Sequence, residues 1–122
     1  LNQERQQTEA EIVQAVLEEC ERFPVTDEHA GLVFCGQNWH RGVLGIVASL
    51  LVERFCRPVL VLSEEDGTAQ GSGRSIAPFH LLDALESMKD LFTRFGGHRM
   101  AAGVTLEAAQ LEAFRDRFNR YA

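Results

Sequence analysis

Two adjacent glycines, Gly96 and Gly97, lead directly into His98, Arg99, Met100 and a run of small residues ending at Gly103. No other stretch of the 122 residues is so restricted in composition. Without Cβ atoms the paired glycines reach backbone conformations closed to other residues, their N–H groups can converge on an anion, and a large ligand can come close. A helical turn beginning at His98 would add its own partial positive charge at the same place. The segment reads as a phosphate cradle, with the His98 ring positioned to hold or protonate a phosphate oxygen. The plainer alternative is that Gly96 and Gly97 only end a preceding helix as C-cap residues.

A second cluster is Gly71-Ser72-Gly73-Arg74-Ser75. Glycines inside a strand weaken it and mark close approach by another backbone or by a ligand. Arg74 would then project from a cleared surface, its guanidinium able to hold a phosphate through two hydrogen bonds, with the hydroxyls of Ser72 and Ser75 beside it. The alternative is a surface arginine paired with Glu64, Glu65 or Asp66. A third cluster, from Gly36 through Trp39, His40 and Gly45, sits between a strand and a helix. It matches neither GxGxxG nor GxxxxGK[ST]. Either Trp39 closes over the core with His40 satisfied by backbone, or the turn lines the same cleft as the Gly96 loop and brings Trp39 or His40 near a base or sugar.

Gly96-Gly97-His98-x-x-Ala101-Ala102-Gly103 resembles the signature of the DHHA1 domain, the accessory domain of the DHH phosphoesterases. Trp39-His40-Arg41-Gly42-Val43-Leu44-Gly45-Ile46-Val47-Ala48-Ser49 and Gly71-Ser72-Gly73-Arg74-Ser75 are similar to the RecJ branch, the single-strand-specific 5′ exonucleases. The resemblance covers nearly the whole chain. It implies a long helix joining catalytic and accessory domains, with Arg74 and His98 facing the catalytic domain across the active-site cleft. It implies single-stranded DNA as partner, 5′ to 3′ digestion in repair and recombination, and Mn²⁺ or Mg²⁺ held by a DHH domain in cis. An oligoribonuclease or nucleotide phosphatase of the same superfamily shares the Gly-Gly-His loop. A structural, partner-docking α/β domain is the reading from another class.

DHH-type chemistry needs aspartates and histidines around two divalent cations that activate water. The chain has no Asp-His-His and no Asp-x-Asp, and His29, His40, His80 and His98 show no ligand spacing. No catalytic residue, metal site or cofactor is therefore expected here; the chain should bind and not hydrolyse. Leu1 in place of an initiating methionine implies a piece of a longer protein.

Charge is unevenly spread. Residues 1–28 hold eight of the eighteen acidic residues and two of the twelve basic ones, so the whole net charge of −6 lies there. The remainder is neutral and carries no basic stripe, so any nucleic-acid contact should be compact. Cys20, Cys35 and Cys56 are far apart and form no CxxC, which reads as small buried hydrophobes in a reducing, cytoplasmic setting. No apolar run approaches the ~20 residues of a membrane span.

Residues 1–28 read as a linking helix and 29–122 as the accessory domain. In the helix, Ile12, Val13, Val16, Leu17, Cys20 and Phe23 make one apolar face. Thr8 and Glu11 either start it as a capping box or lie inside a helix that begins earlier. Gly31–Cys35, a helix over Val43–Phe55 and Pro58–Leu62 form a βαβ unit with parallel pairing. The helix is apolar nearly all round, with Gly45, Ala48 and Ser49 as a small side for close approach to a sheet. A turn at Glu65-Asp66-Gly67 returns an antiparallel strand over Thr68–Ser75. One long helix is expected from Phe79 to Phe95, stopping at Gly96, then a short strand over Val104–Leu106 and a last amphipathic helix carrying Leu111, Phe114, Phe118 and Tyr121. The expected fold is α/β: a small mixed sheet of about four strands with helices on both faces.

Overall fold

The computed structural model describes residues 2–22, 26 and 30–121. Phe23, His29 and the boundary drawn between residues 28 and 29 lie outside them. Helix α1 runs from Asn2 to Arg22 and places Thr8 in its interior, so the helix formers before Thr8 extend it backward. Strand β1 (Leu32–Gln37) leads through a 3₁₀ turn at Arg41–Val43 into α2 (Leu44–Phe55) and then β2 (Val59–Glu65). β1 and β2 pair in parallel, Leu32 opposite Val59, which is the expected βαβ crossover.

Asp66 and Gly67 both take positive φ, at 52° and 79°, and turn the chain into β3 (Thr68–Arg74). A two-residue Asp-Gly loop of that shape matches the twist of the strands it joins. The sheet has five strands, in the order β1-β2-β3-β5-β4, one more than the sequence led us to expect. The extra strand comes from the segment read as one long helix. Instead, α3 covers only Leu81–Ser87, a 3₁₀ turn follows at Lys89–Leu91, and β4 occupies Arg94–Gly97. β5 extends from Ala101 to Glu107 and α4 from Leu111 to Tyr121.

Both faces of the sheet carry apolar cover. Leu60, Leu62, Val104 and Leu106 pack under α3 and α4, where Phe114 and Phe118 are fully buried. The Phe92 ring meets Phe114 edge-on at 5.1 Å between centroids, and Phe79 meets Phe118 at 5.8 Å. On the opposite face Val59 and Val61 pack with Val47, Ala48 and Leu51 of α2, onto which α1 docks through Ile12 and Val16. Ser49, assigned to the sheet-facing side of α2, points to solvent. At the outer edge of β1, α4 supplies two caps: Asn119 Oδ1 accepts from the Gly31 N–H at 3.3 Å, and Arg115 Nε donates to the Val33 carbonyl at 3.2 Å.

Of the cysteines, Cys20 and Cys35 are half-buried, and burial pushes both thiols up. Cys56 is exposed, contrary to expectation: it ends α2 in a left-handed conformation (φ 56°), its N–H on the Val52 carbonyl, which turns the side chain outward. Among the described residues no helix is long and apolar enough to cross a membrane.

Candidate phosphate-binding site

Strand register assembles the site. Side chains alternate across a sheet, so Gln70, Ser72 and Arg74 share one face of β3. Opposite them on β5 stand Thr105, Gly103 and Ala101, and β4 continues two of these rows with Arg94 beside Thr105 and Gly96 beside Gly103. α2 lies over β2 and β3 on this face. The β5–β4 half is left as an open groove of about 400 Å³ lined by Gln70, Ser72, Gly103, Gly96, Thr105 and Arg94.

The glycines of β3 and β4 serve different ends. At Gly71 a Cβ would collide with the Val61 carbonyl, and at Gly73 it would lie 2.7 Å from the Leu60 side chain. Both point to the core side, so the close approach there is by this chain itself and does not clear the surface around Arg74. Gly97 has φ 143°, and a Cβ on it would meet the Ala101 carbonyl. At Gly96 a Cβ would meet nothing within 4 Å. The fold has no need of glycine at 96, and the empty space lies in the groove.

Gly96 and Gly97 are paired in β4 and are not helix caps; no helical turn starts at His98. The chain reverses over His98–Met100 in a hairpin loop, with the His98 N–H on the Ala101 carbonyl at 2.8 Å. The loop is tied down from outside: Leu81 N–H donates to the Arg99 carbonyl at 2.8 Å, Ser75 N–H to the Met100 carbonyl at 3.0 Å, and Arg99 Nη2 to the Ala77 carbonyl at 2.9 Å. His98 Nδ1 accepts from the Met100 N–H at 3.3 Å, which leaves Nε2–H as the ring's outward donor. A neutral ring can therefore give a hydrogen bond to a phosphate oxygen. Arg74 sits opposite Ala101, so its backbone is two strand spacings, about 10 Å, from that of His98.

Arg74 forms no ion pair among the described residues. Glu65 is taken by Arg41 at 3.0 Å. The Arg74 guanidinium lies over Gly45 in the first turn of α2, with Nη1 donating to the Gly73 carbonyl at 2.7 Å. A helix start is itself partly positive, so an anion placed there would relieve the repulsion between the two. Arg94 is exposed, also without an ion pair among the described residues, and was not singled out from the sequence; only its alternation with Phe95 in a strand could have revealed it.

Ser72 lines the groove, whereas Ser75 does not. The Ser75 hydroxyl is buried and donates to the Phe79 carbonyl at 2.8 Å, inside the loop it helps to close. Trp39 and His40 do not line the groove either and lie far from Arg74, although Gly36 under the Trp39 ring shares its row with Gln70, Thr105 and Arg94. Their turn leaves β1 at Gln37, level with Glu64 and Ala69, at the other end of the sheet from the row Leu32–Val59–Arg74. The Trp39 ring covers Gly36 and packs against the α2 cluster, and His40 Nδ1 accepts from the Gly42 N–H at 3.1 Å. No group of three His, Cys, Asp or Glu among the described residues could hold a metal ion, so these residues do not fit the divalent cations of DHH chemistry.

Residues 28–122 match the family model of the DHHA1 domain. The chain belongs to the DHHA1 family. This DHHA1 chain is 44% identical to the single-stranded-DNA-specific exonuclease RecJ of Salmonella typhimurium over 97% of its length, and 42% identical to that of Bacillus subtilis over 100%. It spans 22% and 16% of those two relatives. A crystal structure of RecJ from Thermus thermophilus in complex with Mg²⁺ superposes with a TM-score of 0.84 at 34% identity, over 98% of this chain and 18% of that one. The DHHA1 fold seen here is thus the one found in RecJ.

Proposed function

We propose that this DHHA1 chain is the accessory substrate-binding domain of a RecJ-type exonuclease that digests single-stranded DNA from the 5′ end in repair and recombination. Residues 1–28 link it to a DHH catalytic domain in cis, which supplies the Mn²⁺ or Mg²⁺ site and the activated water. Its own part is to hold the strand. Arg74 grips a terminal or near-terminal phosphate, His98 gives it a second hydrogen bond through Nε2–H, and the strand passes over Gly103 and Gly96 towards Arg94.

The observation that carries this is an arginine without a carboxylate partner among the described residues, set on the same sheet end as a ring nitrogen free to donate, beside a groove that glycine keeps open. Four residue steps along β5, from Ala101 to Thr105, separate the Arg74 row from the Arg94 row, about 14 Å at 3.4 Å per residue. One phosphate cannot bridge that gap, which favours a strand over the mononucleotide of a nucleotide phosphatase.

The test is an NMR titration of the chain with short single-stranded oligonucleotides. Losing a hydrogen-bonded charged partner costs roughly 1.5–3 kcal/mol, so Arg74→Ala should weaken binding about tenfold or more, and His98→Ala should weaken it less. Amide shifts should map to residues 72–74, 94–98 and 103. Shifts elsewhere, or wild-type affinity in both variants, would refute this reading.

A further inference from the structure

We propose that Gly45 is a positioning residue: its missing side chain is the seat that holds the Arg74 guanidinium in its phosphate-gripping place. The inference rests on the phosphate-binding role of Arg74 and adds the element that sets its geometry. A Cβ on Gly45 would lie 2.5 Å from Arg74 Nη2, closer than carbon tolerates, and 3.3 Å from Cζ. The next nearest atom to that Cβ belongs to the same guanidinium, Nη1 at 3.7 Å. Nothing of the core comes as close.

Gly45 is the second residue of a 12-residue helix and is only half-buried. A helix interior prefers alanine to glycine. Its φ is not positive, so no backbone conformation calls for glycine there either. What the glycine does accomplish is to let a long, mobile side chain lie flat on the helix start while Nη1 stays on the Gly73 carbonyl. With a methyl group in the way, the guanidinium must swing off the helix and give up that hydrogen bond. Ordering a flexible arginine before the ligand arrives spares its rotamer entropy at binding.

Gly45→Ala separates this role from a structural one, because it should help the fold and harm the site. The variant should melt at the same or a higher temperature than wild type. It should bind a single-stranded hexanucleotide three- to tenfold more weakly, and the Arg74 Nε–Hε resonance should move even without ligand. In the Arg74→Ala background the same substitution should change affinity by less than twofold, the coupling expected when one residue acts through the other. Wild-type affinity and an unmoved Nε–Hε resonance in Gly45→Ala, alongside weak binding by Arg74→Ala, would overturn this inference and leave the phosphate site standing. An equal loss in both backgrounds would overturn it as well. Wild-type affinity in Arg74→Ala would instead remove the phosphate site on which it rests.

Discussion

Gly96 and Gly97 are neighbours of one chemical kind held for unlike reasons. Gly97 has a φ of 143° and a carbonyl in the place of its Cβ, so Gly97→Ala should cost about 1–3 kcal/mol of stability. Gly96 has open space at its Cβ, and Gly96→Ala should stay within about 0.5 kcal/mol of wild type while its methyl group obstructs the groove and weakens oligonucleotide binding. Urea unfolding of the two variants decides it; equal losses of stability would remove the distinction. From the residues alone the pair could only be read as a unit, because which face each would present depends on their lying in a strand. The same limit applies to Gly71 and Gly73. Their close approach was legible, but its direction, towards Val61 and Leu60 and away from the groove, needs the register. Arg74 and His98 stand out in the sequence because their side-chain chemistry contrasts with glycine, and their hold on a phosphate is the proposal that the titration tests. Which of two readings applies to Ser75 and His40 was not legible, since a hydroxyl or ring spent on a nearby backbone group looks the same in sequence as one left for a ligand.

Among the elements, α1 shows how far one apolar stripe reaches. Ile12 and Val16 are buried against α2, while from Gln6 to Glu11 no side chain is. Isolated helical turns are marginal in water, so amides of residues 6–10 should exchange much faster than those of residues 12–20. Hydrogen exchange read by mass spectrometry or NMR tests this, and uniform protection along α1 would mean that its first half is packed on something. The α2 crossover and β3 were legible from continuous apolar runs and an Asp-Gly turn. The segment from Phe79 to Phe95 was not. Its apolar residues keep helical spacing as far as Met88, and Leu91, Phe92 and Phe95 happen to prolong the rhythm from a 3₁₀ turn and a strand. Four residues of alternation, Arg94 outward and Phe95 inward, are too few to outweigh that rhythm. Thr93 N–H on the Thr105 carbonyl at 2.8 Å already belongs to the strand.

At the scale of the molecule, cationic groups are few on the open face and the surplus acid sits at the start of the chain. Binding should therefore be weak and only mildly sensitive to salt. With Arg74 and Arg94 as the phosphate contacts, log K should fall against log salt with a slope of about −1.4, the value for two contacts on a single strand. A slope several times steeper would mean a longer basic track than this sheet offers. The kind of fold was legible at this scale from the order of its elements, and the family from its glycine-bearing motifs, whereas the half-bare sheet face was not, since it follows from where α2 stops. The caps that α4 places on β1 reach further than packing. An exposed strand edge is a template on which another chain can grow, and an endless filament needs two such edges per subunit. Asn119 and Arg115 take the Gly31 N–H and the Val33 carbonyl on the β1 side, and the other outer strand among the described residues is β4, four residues long with glycine at half its positions. Growth through β1 is thereby hindered, so crowding this chain should favour pairing through β4 into a closed dimer over propagation into a fibre.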